Sequence, residues 1–311
     1  MGKRDVFFEF HPIINFIYFG LVFLFTMCFW HPVSLVISFG SALLYASYLK
    51  GKKATRFVWQ FILPMMLFAA VLNPAFSHKG VTILAYLPSG NPLTLESILY
   101  GLAAASLLGA ILLWFYCYNA VMSSDKFIYL FGRILPALSL VISMALRFVP
   151  KFKEQFSVVQ EAQICVGQDA FQGSVYRRMK NSIRILSIMI TWSLENAIET
   201  ADSMKGRGYG LPGRTAFSIY HWDARDKSML AWLLFCGIYI ISGWLAGGMN
   251  WKYYPDIQGT WTGVWPWSFQ IVYLCLCLTP WILNKWMDRR WSSLKKINKN
   301  TKGEAYHAEK L

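Results

Sequence analysis

Charge is scarce in this sequence. Only 15% of its 311 residues are Asp, Glu, Lys or Arg, against about 25% in a soluble globular domain. Acidic residues are the rarer kind, 16 against 30 basic ones. A chain so poor in charge and 56% hydrophobic does not read as a water-soluble domain. Also missing is the Gly-x-x-x-x-Gly-Lys-Ser/Thr loop that cradles nucleotide phosphates. Gly51-Lys52-Lys53 lacks both the upstream glycine and the hydroxyl, so ATP hydrolysis is not expected in this chain. Gly206-x-Gly208-x-Gly210 resembles a dinucleotide fingerprint only superficially, because it closes a helix where such a site follows a strand and opens one. His11, His31, His78, His221 and His307 are scattered and form no metal-spaced pair. The six cysteines are Cys28, Cys117, Cys165, Cys236, Cys275 and Cys277. All but Cys165 lie in apolar runs, and Cys275-Leu-Cys277 has neither a second pair nor a nearby histidine. Zinc is not expected; inert buried thiols are. Asp223-Ala-Arg-Asp226 is an acidic pair without a third carboxylate nearby, read as a helix cap before Met229. No nucleophile–base constellation assembles from what remains.

What is present is apolar length. Six runs, Ile13–Trp30, Pro32–Leu49, Phe57–Leu72, Leu93–Tyr118, Met229–Gly247 and Trp265–Trp286, reach or approach the roughly 17–25 residues that span a bilayer. The third is short and holds Pro64. The first is expected to be a retained helix, because Phe29-Trp30-His31-Pro32 offers no small-residue cleavage site.

The net charge of +14 raises nucleic acid as a partner, and its distribution argues against that. Basic residues gather at Lys3 and Arg4, in Lys50-Gly-Lys52-Lys53-Ala-Thr-Arg56, and in a tail holding Lys285, Arg289, Arg290, Lys295, Lys296, Lys299, Lys302 and Lys310. The His31–Pro32 turn has none, residues 73–92 have only Lys79, and residues 248–264 only Lys252. Basic loops stay in the cytoplasm, so both termini and the stretch between Tyr118 and Met229 are expected inside the plasma membrane. The excess charge then serves orientation and contact with anionic lipid.

The expected fold is an all-α membrane protein: about six transmembrane helices plus a cytoplasmic coupling domain of long amphipathic helices. The expected divisions are N-terminal spans over 1–118, that domain over 119–228, C-terminal spans over 229–286 and a basic tail over 287–311. The internal segment is too long for a structureless loop. Ser123-Ser124-Asp125 reads as a helix start. Residues 127–148 then run mostly apolar, are broken at Arg133 and Pro136, and close at Pro150; their depth in the membrane is left open. Residues 151–166 form an amphipathic stretch with Phe152, Phe156, Val159 and Ala162 or Gln163 in phase, stopped by Gly167. Residues 175–204 carry the longest stripe: Val175, Met179, Ile183, Leu186, Ile190, Leu194, Ala197, Ala201 and Met204. At 1.5 Å per residue such a helix is about 45 Å long. Arg184, Glu195 and Glu199 argue against a membrane span there. The helix is either a core element or a rigid lever. Glu195, Glu199 and Asp202 mark a solvated face. Arg207, between Gly206 and Gly208, sits at a helix end whose dipole favours a cation.

These residues resemble the transmembrane T component of energy-coupling factor transporters, the CbiQ/EcfT type, over nearly the whole chain. The landmarks are His11-Pro12, Asn73-Pro74-Ala-Phe-Ser-His78-Lys-Gly80, the stretch from Leu87 to Ser97, Ser124-Asp125-Lys126-Phe127, Leu146-Arg147-Phe148-Val149-Pro150, and Ala201-Asp-Ser-Met-Lys-Gly-Arg-Gly-Tyr-Gly210. The resemblance implies two coupling helices ending in Ala-Arg-Gly signatures, each arginine docking on one of two ABC-type ATPase subunits. The second signature reads Gly206-Arg207-Gly208, with Met204, Lys205 and Tyr209 beside it. The first falls at Cys165-Val166-Gly167, where the arginine is lost and docking by shape through Ile164, Val166 and Gly167 is expected. The chain itself would be a non-catalytic transmitter without cofactors, ATP and magnesium belonging to the ATPases. A membrane-embedded substrate-binding S component would select the vitamin or metal ion. Which cargo, which ATPase meets which tip, whether the T component is shared, and which residues contact the S component are left open. A self-sufficient carrier is the alternative, opposed by spans whose main ionisable residue is Glu96, near an outer end; a membrane-bound transferase built on Asp223 and Asp226 is a further one.

Overall fold

The computed structural model describes residues 5–77, 80–86, 92–132, 136–169, 171–209, 211, 220–259 and 264–308, without the side chains of 85, 132, 136–139 and 292–308. Lys3, Arg4, His78, Lys79, residues 87–91, Arg133, Gly210 and Lys310 lie outside the described residues, as do the side chains of Lys295, Lys296, Lys299 and Lys302. The chain is an all-α membrane protein. It forms two compact units, residues 1–124 with 220–311, and residues 125–219.

Unit 1 holds the apolar helices. Among the described residues five are long and apolar enough to cross a membrane: Pro32–Lys50 (α2), Lys52–Phe76, Leu95–Val121 (α5), Ala224–Leu245 (α9) and Val264–Trp291, the last being the first part of α10, Val264–Ala308. The first apolar run is a shorter helix, Pro12–Cys28 (α1). Both α1 and α2 open on a His-Pro pair. Proline at the first helical position needs no donor there, and the histidine before it caps the turn: the N–H of Ile13 donates to His11 Nδ1 at 3.3 Å and that of Val33 to His31 Nδ1 at 3.2 Å.

The third span departs from its expected bounds. It begins at Lys52 and ends at Phe76, as α3 (Lys52–Phe57), one π-helical turn (Val58–Ile62) and α4 (Leu63–Phe76). The wider turn explains how Pro64 is carried: its ring crowds the carbonyl four residues earlier, Gln60, and a π turn relieves that crowding without breaking the helix. Pro74 likewise takes a hydrogen bond away from the Ala70 carbonyl. Gly101 of α5 comes to rest there; a Cβ at position 101 would stand 2.7 Å from Ala70 O and 3.2 Å from Asn73 Cβ.

The core of this unit is aromatic, with Tyr18, Phe19, Tyr45, Trp114, Phe269 and Tyr273 fully buried. Polar atoms inside it are joined across helices. Ser38 Oγ accepts from Trp114 Nε1 at 3.0 Å and lies 2.9 Å from Thr26 Oγ1, which lies 3.1 Å from the Tyr273 hydroxyl. Ser34 donates to Gln270 at 2.9 Å. At one end three connections meet. The Tyr253 hydroxyl donates to Trp30 O at 3.0 Å, and burial pushes that phenol up to about 12, so it stays a donor. Asn73 Nδ2 donates to Ser97 O at 2.9 Å, and Ser97 Oγ to Ser77 O at 2.6 Å. Two short hairpins, Ile83–Tyr86 with Pro92–Thr94 and Trp251–Lys252 with Gln258–Gly259, complete that end. The opposite end gathers the N-terminal turn, where Val6 N donates to Asn284 Oδ1 at 2.7 Å, and Tyr48, whose hydroxyl donates to Asp288 at 2.9 Å.

Asp223 and Asp226 form a helix start, as expected: α9 begins at Ala224, and the Asp223 N–H donates to Asp226 Oδ2 at 3.3 Å. Helix α10 continues past the last apolar residues to Ala308, so the basic tail is helical as far as it is described.

Because Gly101 meets a backbone carbonyl, Gly101→Val is expected to cost about 1–3 kcal/mol through overpacking and to lower the Tm of the purified protein in detergent. Gly20→Ala, at a site with nothing within 4 Å, is the control and leaves the Tm unchanged or raised.

Candidate functional site

Unit 2 is built on a helical hairpin. Ser124–Gly132 (α6) precedes Pro136–Cys165 (α7), and α7 is followed by Val175–Gly206 (α8). The expected stop at Pro150 is wrong: α7 passes through it without interruption. The proline removes one backbone bond, at a cost of about 3 kcal/mol in an isolated helix. Pairing with α8 begins immediately after it and offsets the loss. Lys151 Nζ donates to Asn196 Oδ1 at 3.2 Å, and the Phe152 ring packs edge-on against Trp192 at 5.4 Å. Farther along, Val159 is buried with Ile185 and Met189. The two helices therefore run antiparallel.

This pairing uses a narrow face of α8 on which Asn181, Ile185 and Met189 are buried. The long apolar stripe read from the sequence is elsewhere. Val175, Met179, Ile183, Leu186, Ile190 and Leu194 are each between 52% and 72% exposed, and Ile198 continues the row. Within this unit the stripe is no core. Beside it a groove of about 590 Å³ opens between α7 and α8, lined by Phe152, Phe156, Leu186, Met189, Ile190 and Leu194.

Both helices of the hairpin end in the same backbone device. At the end of α7, Gly167 has φ +73°; its N–H bonds to Ile164 O at 2.9 Å, and the N–H of Gln168 bonds to Gln163 O at 2.9 Å. At the end of α8, Gly208 has φ +77°; its N–H bonds to Lys205 O at 3.0 Å, and that of Tyr209 to Met204 O at 3.1 Å. Each is a Schellman closure, in which a left-handed residue lets its own amide and the next one satisfy carbonyls of the last turn. Only glycine takes that conformation without strain. The two closures align residue by residue, so Val166 occupies the position of Arg207, Cys165 that of Gly206, and Ile164 that of Lys205. All six of these residues are exposed, Val166 by 69%. Among the described residues the Arg207 side chain has no ion pair or hydrogen bond. Lys205 stands 3.9 Å from Asp202 in an exposed pair, which is worth little. Glu195 and Glu199 are exposed as well.

The two sets of tip residues are not brought together. The first is tied to the early part of α8: Arg184 Nη1 donates to the Gln168 side chain, and Asn181 Nδ2 to Asp169 O at 2.9 Å. Arg184 and Arg207 are separated by 23 residues of one helix, or roughly 35 Å. The tying residues were not found by sequence reasoning. Their one signal is that Asn181 and Arg184 lie at helical spacing just ahead of Ile185 and Ile188.

The family model of the CbiQ cobalt transport proteins matches residues 12–217. The chain belongs to the CbiQ family. It is similar to the energy-coupling factor transporter transmembrane protein EcfT of Bacillus selenitireducens, 37% identical over 112 residues, which are 35% of this chain and 42% of that one. It is similar also to the EcfT proteins of Lactobacillus helveticus (37% over 106 residues, 33% and 38% of the two chains) and Bacillus subtilis (33% over 98 residues, 31% and 37%). The matched stretches thus span about two fifths of these relatives. As a CbiQ-family member with several apolar helices long enough to cross a bilayer, it is a membrane protein.

Since Gly208 alone lets α8 end as it does, Gly208→Val is expected to strain the closure by about 1–2 kcal/mol and to speed amide hydrogen exchange at residues 205–209. Gly206→Ala, helical and with nothing within 4 Å, leaves that exchange unchanged.

Proposed function

We propose that this CbiQ-family protein is the energy-coupling transmembrane subunit of an ABC-type importer, a non-catalytic transmitter between two ATPases and a substrate-binding S component. The observation that carries the reading is the pair of matching helix ends on one hairpin. Two identical closures roughly 35 Å apart along one helix suit two sockets on a pair of related subunits. One end offers a guanidinium at the negative pole of a helix; the other offers an apolar side chain in the same place. The ATPase receiving Arg207 would present carboxylates, and the one receiving Ile164, Val166 and Gly167 an apolar socket. ATP and magnesium would be held by the ATPases, and closure of those subunits would displace the tips.

The exposed apolar stripe of α8 supports the second half of the reading. A row from Val175 to Ile198 that α7 does not cover is suited to a very hydrophobic partner, the S component, which would carry a vitamin or a metal ion. The distribution of Lys and Arg supports a cytoplasmic location for the tips and both termini, in a plasma membrane.

Arg207→Glu is expected to abolish uptake and to weaken co-purification of the ATPases, since reversing one side of a partly desolvated charge pair costs roughly 3–5 kcal/mol. Val166→Glu should do the same at the other socket, while Val166→Ile is tolerated. Ile190→Asp should release the S component and leave the ATPases bound. Normal uptake and assembly in Arg207→Glu would overturn the docking role.

A further inference from the structure

Unit 1 carries a groove that the transport reading does not use. It lies between the first described residues, the start of α9 and the middle of α10, and has a volume of about 490 Å³, within the usual range for small-molecule pockets. Its walls are apolar, with Val6, Phe10, Met229, Trp232, Ile282 and Trp286. Trp232, Ile282 and Trp286 are 41%, 48% and 50% exposed, so the groove is open along its side. On α10 the lining runs from Cys275 to Met287, roughly 18 Å at 1.5 Å per residue. That is close to the depth of one leaflet of a hydrocarbon core about 30 Å thick.

Its charge lies at the end where the N-terminal turn and the basic part of α10 meet. Arg225 is part of the lining, and its guanidinium sits 4.7 Å from the Phe10 ring. The Arg290 guanidinium sits 4.6 Å from the ring of Trp286, a wall residue. Stacking occupies the face of a guanidinium and leaves the fork of N–H donors at its edge, the geometry that grips phosphate. Three carboxylates toward that end accept from neutral donors, Asp226 Oδ2 from the Asp223 N–H, Asp288 from the Tyr48 hydroxyl, and Asp5 from Asn284 and Tyr45. Two stacked guanidiniums thus stand at the mouth of an apolar, leaflet-deep groove.

We infer that this groove is a binding site for one anionic phospholipid, with an acyl chain laid between Phe10, Trp232 and Ile282 and the phosphate held by Arg225 and Arg290. A basic pocket between membrane helices at headgroup level has the complementarity that anionic lipids recognise. A zwitterionic lipid offers the same acyl chain, but its headgroup cation opposes the two guanidiniums. The inference does not depend on the identity of the transported cargo or on the ATPase sockets.

The test uses the full-length chain, delipidated in maltoside detergent, titrated with dioleoylphosphatidylglycerol or dioleoylphosphatidylcholine and read by native mass spectrometry and thermal shift. Phosphatidylglycerol is expected to bind about tenfold more tightly. The double variant Arg225→Gln with Arg290→Gln should remove that preference, and Lys52→Gln with Lys53→Gln, which makes the same change in net charge, should keep it. Cys275→Trp, which fills the groove, should weaken both lipids; if it fails to fold, the exposed arginine pair still decides. Equal binding of the two lipids, an unchanged preference in the arginine variant, stabilisation by soluble glycerophosphate alone, or self-association blocked by Cys275→Trp would each overturn the assignment.

Discussion

A polar atom buried in a bilayer has no water to fall back on, and this constraint governs how unit 1 is assembled. The hydroxyl of Ser38 answers it for several helices at once, receiving the indole of Trp114 from α5 and contacting Thr26 of α1, which reaches Tyr273 of α10. Interhelical hydrogen bonds in membranes average about 0.6 kcal/mol each, so the cluster is no great store of stability. Its effect is on register. Sliding any of these helices by one residue would leave a buried donor unmatched, and an apolar interface alone would not resist that slip so sharply. In the proline-bearing helix before α5, by contrast, the carbonyl freed by Pro74 lies against the backbone of Gly101.

Unit 2 obeys a different rule. Here the energetic question is how a helix stops. Two glycines in the left-handed region close α7 and α8 with the same pair of backbone bonds, and the closure fixes which side chain stands at the tip. Backbone geometry is thus duplicated while the chemistry it presents is not: a cation at 207, an isopropyl group at 166. Under the proposed function, a duplication that keeps shape and breaks charge suits two unlike sockets.

Much of this was legible in the sequence, because membrane helices and glycine stops leave strong signals. Apolar length located the spans, and the expected ends at 166 and 204 fall within two residues of the observed ones, Cys165 and Gly206. The failures have physical causes. Pro150 was read as a stop, but tertiary pairing absorbs it; the third run, which holds Pro64, was read too short, because a π turn carries the helix past that proline. The apolar stripe of α8 gave the right helix and could not say what it packs on, since periodicity reports a face and not its partner. The residues that face α7 form a shorter row, Asn181, Ile185 and Met189, whose polar member hid it. Arg184, which argued against a membrane span, anchors the loop after the first tip.

The proline at 150 has a mechanical consequence. On its C-terminal side α7 is braced against α8 through Phe152, Val159 and the ties at Gln168 and Asp169. The missing bond falls just outside that braced length. A load applied at the tips would therefore move residues 151–206 as one stiff beam, and bending would be concentrated at the single turn where the helix lacks a rung.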